Sequence, residues 1–225
     1  MSFNGISKLA GHIDISCVQA FHTKDEIDKM IRLAREHRFA AVFTLPAFTP
    51  YVHENLKDMP DIHIGGVVSF PGGGDTTSEK CRQADELLRA GCDEIDMVMN
   101  LTRLLSNDDD NILYELKHIR RITEKHIMKV IIEAPHLNEE QIRRATELCI
   151  MAKADYVKTS TGWYPDHPTK PEHIRVIADQ AKGRIRIKAA GGVRDIETIM
   201  KMQEYGCDRF GLGMNSVIGI INGMN

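Results

Sequence analysis

Eight times along this chain a short run of apolar and β-branched residues gives way to a longer stretch of helical periodicity. Parallel strands need a crossover of a dozen or more residues, so repeated strand–helix units read as a parallel sheet. The strand candidates are residues 12–15, 40–45, 63–70, 94–99, 129–133, 156–159, 186–190 and 209–212, and amphipathic segments follow at 24–37, 76–90, 111–125, 138–151, 171–182 and 196–205. Thr23, Asn138 and Asp195 are N-cap types followed by first-turn acids, and Gly91 and Gly206 stand where helices end. No Pro/Ser-rich linker, charge block or low-complexity tract divides residues 1–225, so one domain is expected.

Eight such units can close as a barrel or stay open as a doubly wound sheet. An open dinucleotide-binding sheet would carry G-x-G-x-x-G after its first strand, and Asp14-Ile15-Ser16-Cys17-Val18 offers nothing of the kind. A barrel gathers polar groups at the C-terminal ends of many strands, as here. The expected fold is α/β, a single (β/α)8 TIM barrel.

The composition suits a globular domain: 42% hydrophobic and 27% charged residues over 225 positions. A formal net charge of −3 gives no broad attraction to nucleic acid or acidic membranes, so an anion must be held by a local site. Cys17, Cys81, Cys92, Cys149 and Cys207 are scattered without a C-x-x-C pair and read as reduced thiols. Residues 1–11 have neither the basic start nor the apolar run of a signal peptide, and no stretch has the length of a membrane span. The expected compartment is the cytoplasm. The ten histidines form no H-E-x-x-H or similar pair, so no metal site is expected. Met97, Met99, Met200 and Met202 are read as core filling.

The chemistry is carried by charged residues inside apolar strands. Lys158, in Asp155-Tyr156-Val157-Lys158-Thr159-Ser160-Thr161-Gly162, must reach solvent, pair with an acid or serve a reaction. Ile187-Lys188-Ala189-Ala190-Gly191-Gly192 repeats the anomaly in the next unit. Two ammonium groups pointing into one pocket disfavour each other's charge, and a free amine can attack a carbonyl. The plain alternative is a strand-end lysine that snorkels outward or is salt-bridged. Asp96, in Glu94-Ile95-Asp96-Met97-Val98, is the candidate counter-ion or proton-transfer group, and the two roles are compatible. Asp14 and Glu133 would add polar partners at the same mouth.

Glycines close the later units. Gly191-Gly192 and Gly211-Leu212-Gly213-Met214-Asn215-Ser216 lie where barrels commonly bind phosphate, with Gly162 and Thr161 contributing from the sixth loop. The alternative is that they only make tight turns. Gly72-Gly73-Gly74 is read as a flexible loop over the barrel mouth.

The segments V-K-T-S-T-G around Lys158, K-A-A-G-G-V-R from Lys188 and E-I-D-M-V from Glu94, in that spacing, resemble the signature strands of class I deoxyribose-phosphate aldolases over about residues 9–221. The resemblance implies a Schiff-base lysine at Lys158, a perturbing lysine at Lys188 and an acid acting through water at Asp96. It also implies phosphate binding by backbone around Gly162, Gly191, Gly192 and 211–216. The implied activity is reversible cleavage of 2-deoxyribose 5-phosphate, with sugar phosphate and aldehyde as small-molecule partners. No metal or organic cofactor is implied, and a homodimer or homotetramer is.

Several positions depart from the family pattern. D-H-T-x-L-K reads Asp14-Ile15-Ser16-Cys17-Val18-Gln19, Thr44 replaces a common cysteine, and the phosphate turn lacks its Gly-Thr-Ser-Ser form. Trp163-Tyr164-Pro165-Asp166-His167 adds bulk beside Lys158, and Asn222-Gly223-Met224-Asn225 carries no terminal tyrosine. These leave two further readings: a lysine aldolase acting on another phosphorylated sugar, or a catalytically silent barrel that binds a sugar phosphate or a protein partner.

Overall fold

A computed structural model describes residues 6–224, so the leader reading of residues 1–11 falls partly outside it. The strands are β1 (Ile13–Cys17), β2 (Ala41–Thr44), β3 (His63–Val68), β4 (Glu94–Val98), β5 (Ile127–Ile131), β6 (Tyr156–Lys158), β7 (Arg186–Ala190) and β8 (Arg209–Gly213). All pair in parallel, in sequence order, and β8 closes on β1. The helices are α1 (Ile6–Ala10), α2 (Lys24–His37), α3 (Thr49–Leu56), α4 (Thr77–Arg89), α5 (Leu101–Leu105), α6 (Asp109–Ile122), α7 (Glu139–Met151), α8 (Pro171–Ala181), α9 (Ile196–Glu204) and α10 (Met214–Met224). The expected single barrel is what forms.

Local chemistry sets the element ends. Thr23 caps α2 and Asn138 caps α7, each in a reciprocal box with the residue three along, and the Asp195 side chain accepts from the Thr198 N–H. After α4 the Gly91 N–H donates to Leu88 O and the Cys92 N–H to Leu87 O, the paired bonds of a Schellman turn with Gly91 at φ 95°. Two strand ends differ from expectation. Ser69 at φ 54° stops β3, and Glu133 at φ 50° turns the chain out of β5, which begins two residues earlier than read.

Strand parity decides what fills the barrel. Successive side chains alternate across a strand, so one set faces the helices and the other the lumen. Ile15, Val42, Ile95, Met97, Val130, Val157, Ile187 and Leu212 belong to the apolar layer beneath the helices. The register aligns the other set: Asp14 with Ala41, Val67 with Asp96, Asp96 with Lys129, Lys158 with Lys188, and Lys188 with Arg209. The apolar members of the lumen, Ala41, Phe43 and Val67, form their own small cluster. Small residues make room there: a Cβ on Gly65 would lie 2.2 Å from the Phe43 ring.

Of the four methionines read as core, Met97, Met99 and Met202 are buried, whereas Met200 is exposed. Two positions from Met202 it lies about 200° around α9, turned away from the layer that takes Ile199 and Met202. All five cysteines are free. No described helix is long and apolar enough to cross a membrane.

Candidate active site

The lumen holds charge where a barrel of this kind usually packs branched apolar side chains. Asp14, Glu94, Asp96, Lys129 and Lys188 are buried there, with Lys158 at 7% exposure and Arg209 close beside. Lys158 Nζ and Lys188 Nζ both donate to Asp96 Oδ2, at 2.8 and 2.7 Å. Lys129 Nζ donates to the other oxygen, Oδ1, at 3.0 Å, and also to Glu94. Lys188 Nζ lies 2.5 Å from Asp14 Oδ2, and Arg209 bonds both Asp14 and Glu94. The Phe43 ring lies beneath three ammonium groups, its centroid 4.2 Å from Lys188 Nζ, 4.9 Å from Lys129 Nζ and 5.8 Å from Lys158 Nζ.

This packing sets proton affinities. Burial alone would raise the Asp96 carboxyl, but the ammonium groups of Lys129, Lys158 and Lys188 overrule it and hold it well below the usual carboxylate range. Burial pushes the Lys188 amine down, and the Lys158 and Lys129 charges add to that against the pull of Asp14 and Asp96; it falls to about 8. Lys129 is the contrasting case. Burial works against its charge, yet Asp96, Asp14 and Glu94 raise it above the ordinary lysine value.

A cavity of about 190 Å³ opens over this floor at the C-terminal ends of the strands. Ten of the twelve expected site residues line it: Asp14, Thr161, Lys158, Lys188, Gly162, Gly191, Gly192, Gly211, Gly213 and Ser216. Asp96 does not; it lies under the two lysines it bridges. Asn215 does not either, being exposed at the start of α10. Gly191, at φ 86°, leaves space that a Cβ would fill at 2.7 Å from Ser160 Oγ, and a Cβ on Gly211 would press to 3.1 Å of Lys188 Cε. These glycines therefore shape the mouth as well as the turns.

Glu133 is not at the cavity wall. Its carboxylate accepts from the Thr161 N–H at 3.1 Å and from Thr161 Oγ1 at 2.6 Å, fixing the loop after β6. In Gly72-Gly73-Gly74 only the middle residue is packed: the Gly73 N–H donates to Ser69 O at 2.7 Å and a Cβ there would meet Met99 O at 2.3 Å, whereas Gly72 and Gly74 are exposed. Trp163 stands behind the wall, edge-on to Phe70 with centroids 5.8 Å apart, and Phe70 is the lining residue.

Sequence reasoning missed the cavity residues Gln19, His22, Phe43 and Arg194 as site members, and beneath them the buried Lys129 and Glu94 with the partly buried Arg209. The argument used for Lys158 applies equally to Lys129 in Ile127-Met128-Lys129-Val130-Ile131 and would have found it. His22 gave no signal, being one of ten scattered histidines.

A closed (β/α)8 barrel with amines gathered at its C-terminal mouth is the frame of a barrel lyase working on small carbonyl compounds. A model of the DeoC/LacD family aldolases matches residues 13–222. Curated deoxyribose-phosphate aldolases from Klebsiella pneumoniae and Aquifex aeolicus are 38% and 40% identical to the chain. The first alignment covers 95% of this chain and 86% of that protein, the second 89% and 90%. Among solved structures, one titled "QR15, an Aldolase" superposes with a TM-score of 0.88 at 38% identity, covering 95% of this chain and 94% of that one. The tetrameric deoxyribose phosphate aldolase from Aeropyrum pernix gives 0.88 at 25% identity, covering 97% and 92%. The chain belongs to the DeoC/LacD aldolase family.

Proposed function

We propose that this chain is a class I aldolase that reversibly cleaves 2-deoxy-D-ribose 5-phosphate to D-glyceraldehyde 3-phosphate and acetaldehyde through a Schiff base on Lys158. The observation that carries it is the pair Lys158 and Lys188 on one oxygen of a buried carboxylate, directly under the cavity. The relatives named above share the activity in their names.

In this reaction the Lys158 amine adds to the aldehyde carbon of the open-chain sugar, and loss of water leaves a protonated imine. A base takes the C3 hydroxyl proton as the C2–C3 bond breaks. The bond's electron pair flows into the imine to form an enamine, and glyceraldehyde 3-phosphate departs. The enamine then gains a proton at its terminal carbon, and water releases acetaldehyde and the free amine. Lys188 lines the cavity and burial lowers its amine to about 8, which supports reading it as the group that exchanges these protons. Asp96 remains a carboxylate and acts through the lysines it bridges or through a water.

The phosphate is assigned to the backbone of Gly162, Gly191, Gly192, Gly211 and Gly213 with Ser216, and the Arg194 guanidinium adds a cation to the same cavity wall. A homo-oligomer and a cytoplasmic role in deoxyribonucleotide catabolism belong to the same proposal; the Aeropyrum relative is a tetramer by its title.

Borohydride with 2-deoxyribose 5-phosphate should add one reduced adduct to the intact mass of the wild-type protein, mapped to Lys158. Lys158→Ala should take up none and lose turnover; wild-type turnover in that variant would overturn the assignment. Removing the 5-phosphate from the substrate should raise KM sharply, and indifference to it would point to a different sugar.

A further inference from the structure

The charge network does not stop at Asp96. From Asp96 Oδ1 it continues to Lys129, from Lys129 to Glu94 Oε2, and from Glu94 Oε1 to His63 Nδ1 at 2.7 Å. His63 opens β3 and Glu94 opens β4, so this end of the chain of bonds lies at the N-terminal face of the barrel, opposite the cavity. Lys129, Glu94 and Asp96 are fully buried, whereas the His63 side chain is 40% exposed. The path therefore runs from Lys158, at the cavity, to His63, its most exposed member, on the far face.

Every link in this path is an ion pair or a charge-assisted hydrogen bond, and its lysines and carboxylates alternate in sign. Because Lys129 occupies Asp96 Oδ1, Lys158 and Lys188 are left to share Oδ2. Lys129 is itself held by Glu94, and Glu94 by Arg209 and His63. The arrangement of the reacting amines thus depends on a grip that ends at an imidazole.

We propose that His63 is a positioning residue for the lysine pair, acting through Glu94 and Lys129 to fix how the Asp96 carboxylate is shared, so that its protonation is felt at Lys188 across the barrel. The inference rests on the aldolase reading above. Four cations, Lys129, Lys158, Lys188 and Arg209, already face three carboxylates, Asp14, Glu94 and Asp96, in this network among the described residues. A proton on His63 adds a further positive charge to a set shielded from water and makes charge on Lys188 less favourable. The charged groups facing His63 are Glu94, Asp93 and Arg209. The Glu94 hydrogen bond raises the imidazole's proton affinity, against burial and the guanidinium.

The test compares wild type, His63→Ala and His63→Gln over a pH series, reading kcat, KM and the rate of borohydride trapping with 2-deoxyribose 5-phosphate. His63→Ala, which leaves Glu94 without its imidazole partner, should lower kcat about tenfold while KM stays within about twofold. His63→Gln keeps a donor for Glu94 but never charges, so it should restore most of kcat. In both variants the titration limb near pH 8 should move upward. Unchanged kcat and an unmoved limb would overturn the proposal, even if thermal stability falls. If His63→Ala does not fold, the limb of His63→Gln decides. Failure of the aldolase reading itself would look different, because wild type would then trap no adduct.

Discussion

An ionised side chain inside a barrel is stable only while its partners stay in place, and Asp96 shows how tightly this holds. It satisfies three ammonium groups with two oxygens. Asp96→Asn should destabilise the fold by about 3–5 kcal/mol in urea titration, since it leaves buried cations without their counter-charge. Lys188 tests the chemistry instead. Lys188→Arg keeps a cation that cannot titrate near neutrality, so the limb near pH 8 should vanish from the kcat profile and kcat should fall about 10²–10⁴-fold. Gly211→Ala is the steric counterpart. Its methyl would press on Ala190 Cβ at 2.9 Å and on Lys188 Cε at 3.1 Å, so kcat should drop more than stability does.

At the scale of elements, caps and parity do most of the specifying. Replacing Thr23 by Ala removes the α2 cap and should cost about 1 kcal/mol in equilibrium unfolding, with catalysis unchanged. The same signals explain what could be read without a structure. The caps at Thr23, Asn138 and Asp195 and the C-terminal glycines marked α2, α7, α9 and the end of α4 within a few residues. α3 was missed because it is only eight residues long and weakly amphipathic. α10 was missed because two glycines and several β-branched residues in Met214–Met224 lower its intrinsic helix preference. It forms by packing Val217 and Ile220 into the core, which no local pattern announces. The site was legible where a charge interrupts an apolar strand, as at Lys158, Lys188 and Asp96. The cavity walls were not, because Gln19, His22 and Arg194 sit in loops whose approach to one another is set by closure of the barrel.

For the molecule as a whole, the lumen links stability to pH at both ends of the scale. Asp14, Glu94 and Asp96 are more acidic folded than unfolded, so the unfolded chain takes up more protons as pH falls. Their contribution is fully present above about pH 4–5 and is lost progressively below it. Lys188 has the opposite disposition. Its folded value of about 8 lies below the ordinary 10.5, so the unfolded chain holds the extra proton between the two, and stability contributed by this group rises with pH across that window. Urea midpoints measured from pH 3 to 10 should show both trends, and Lys188→Met should flatten the alkaline one. The proportion of sugar cleaved at equilibrium is untouched by any of this; only the rate and the lifetime of the fold respond.

Filling the lumen with mutually dependent ions rather than interchangeable hydrocarbon also limits how such a sequence can diverge. A leucine can drift to isoleucine with a small repacking, but Lys129 or Glu94 cannot change alone without leaving an orphaned charge beneath Lys158 and Lys188. Substitution at this interior must proceed by paired replacements that keep each ion beside an opposite charge, while the apolar layer under the helices remains free to vary one position at a time.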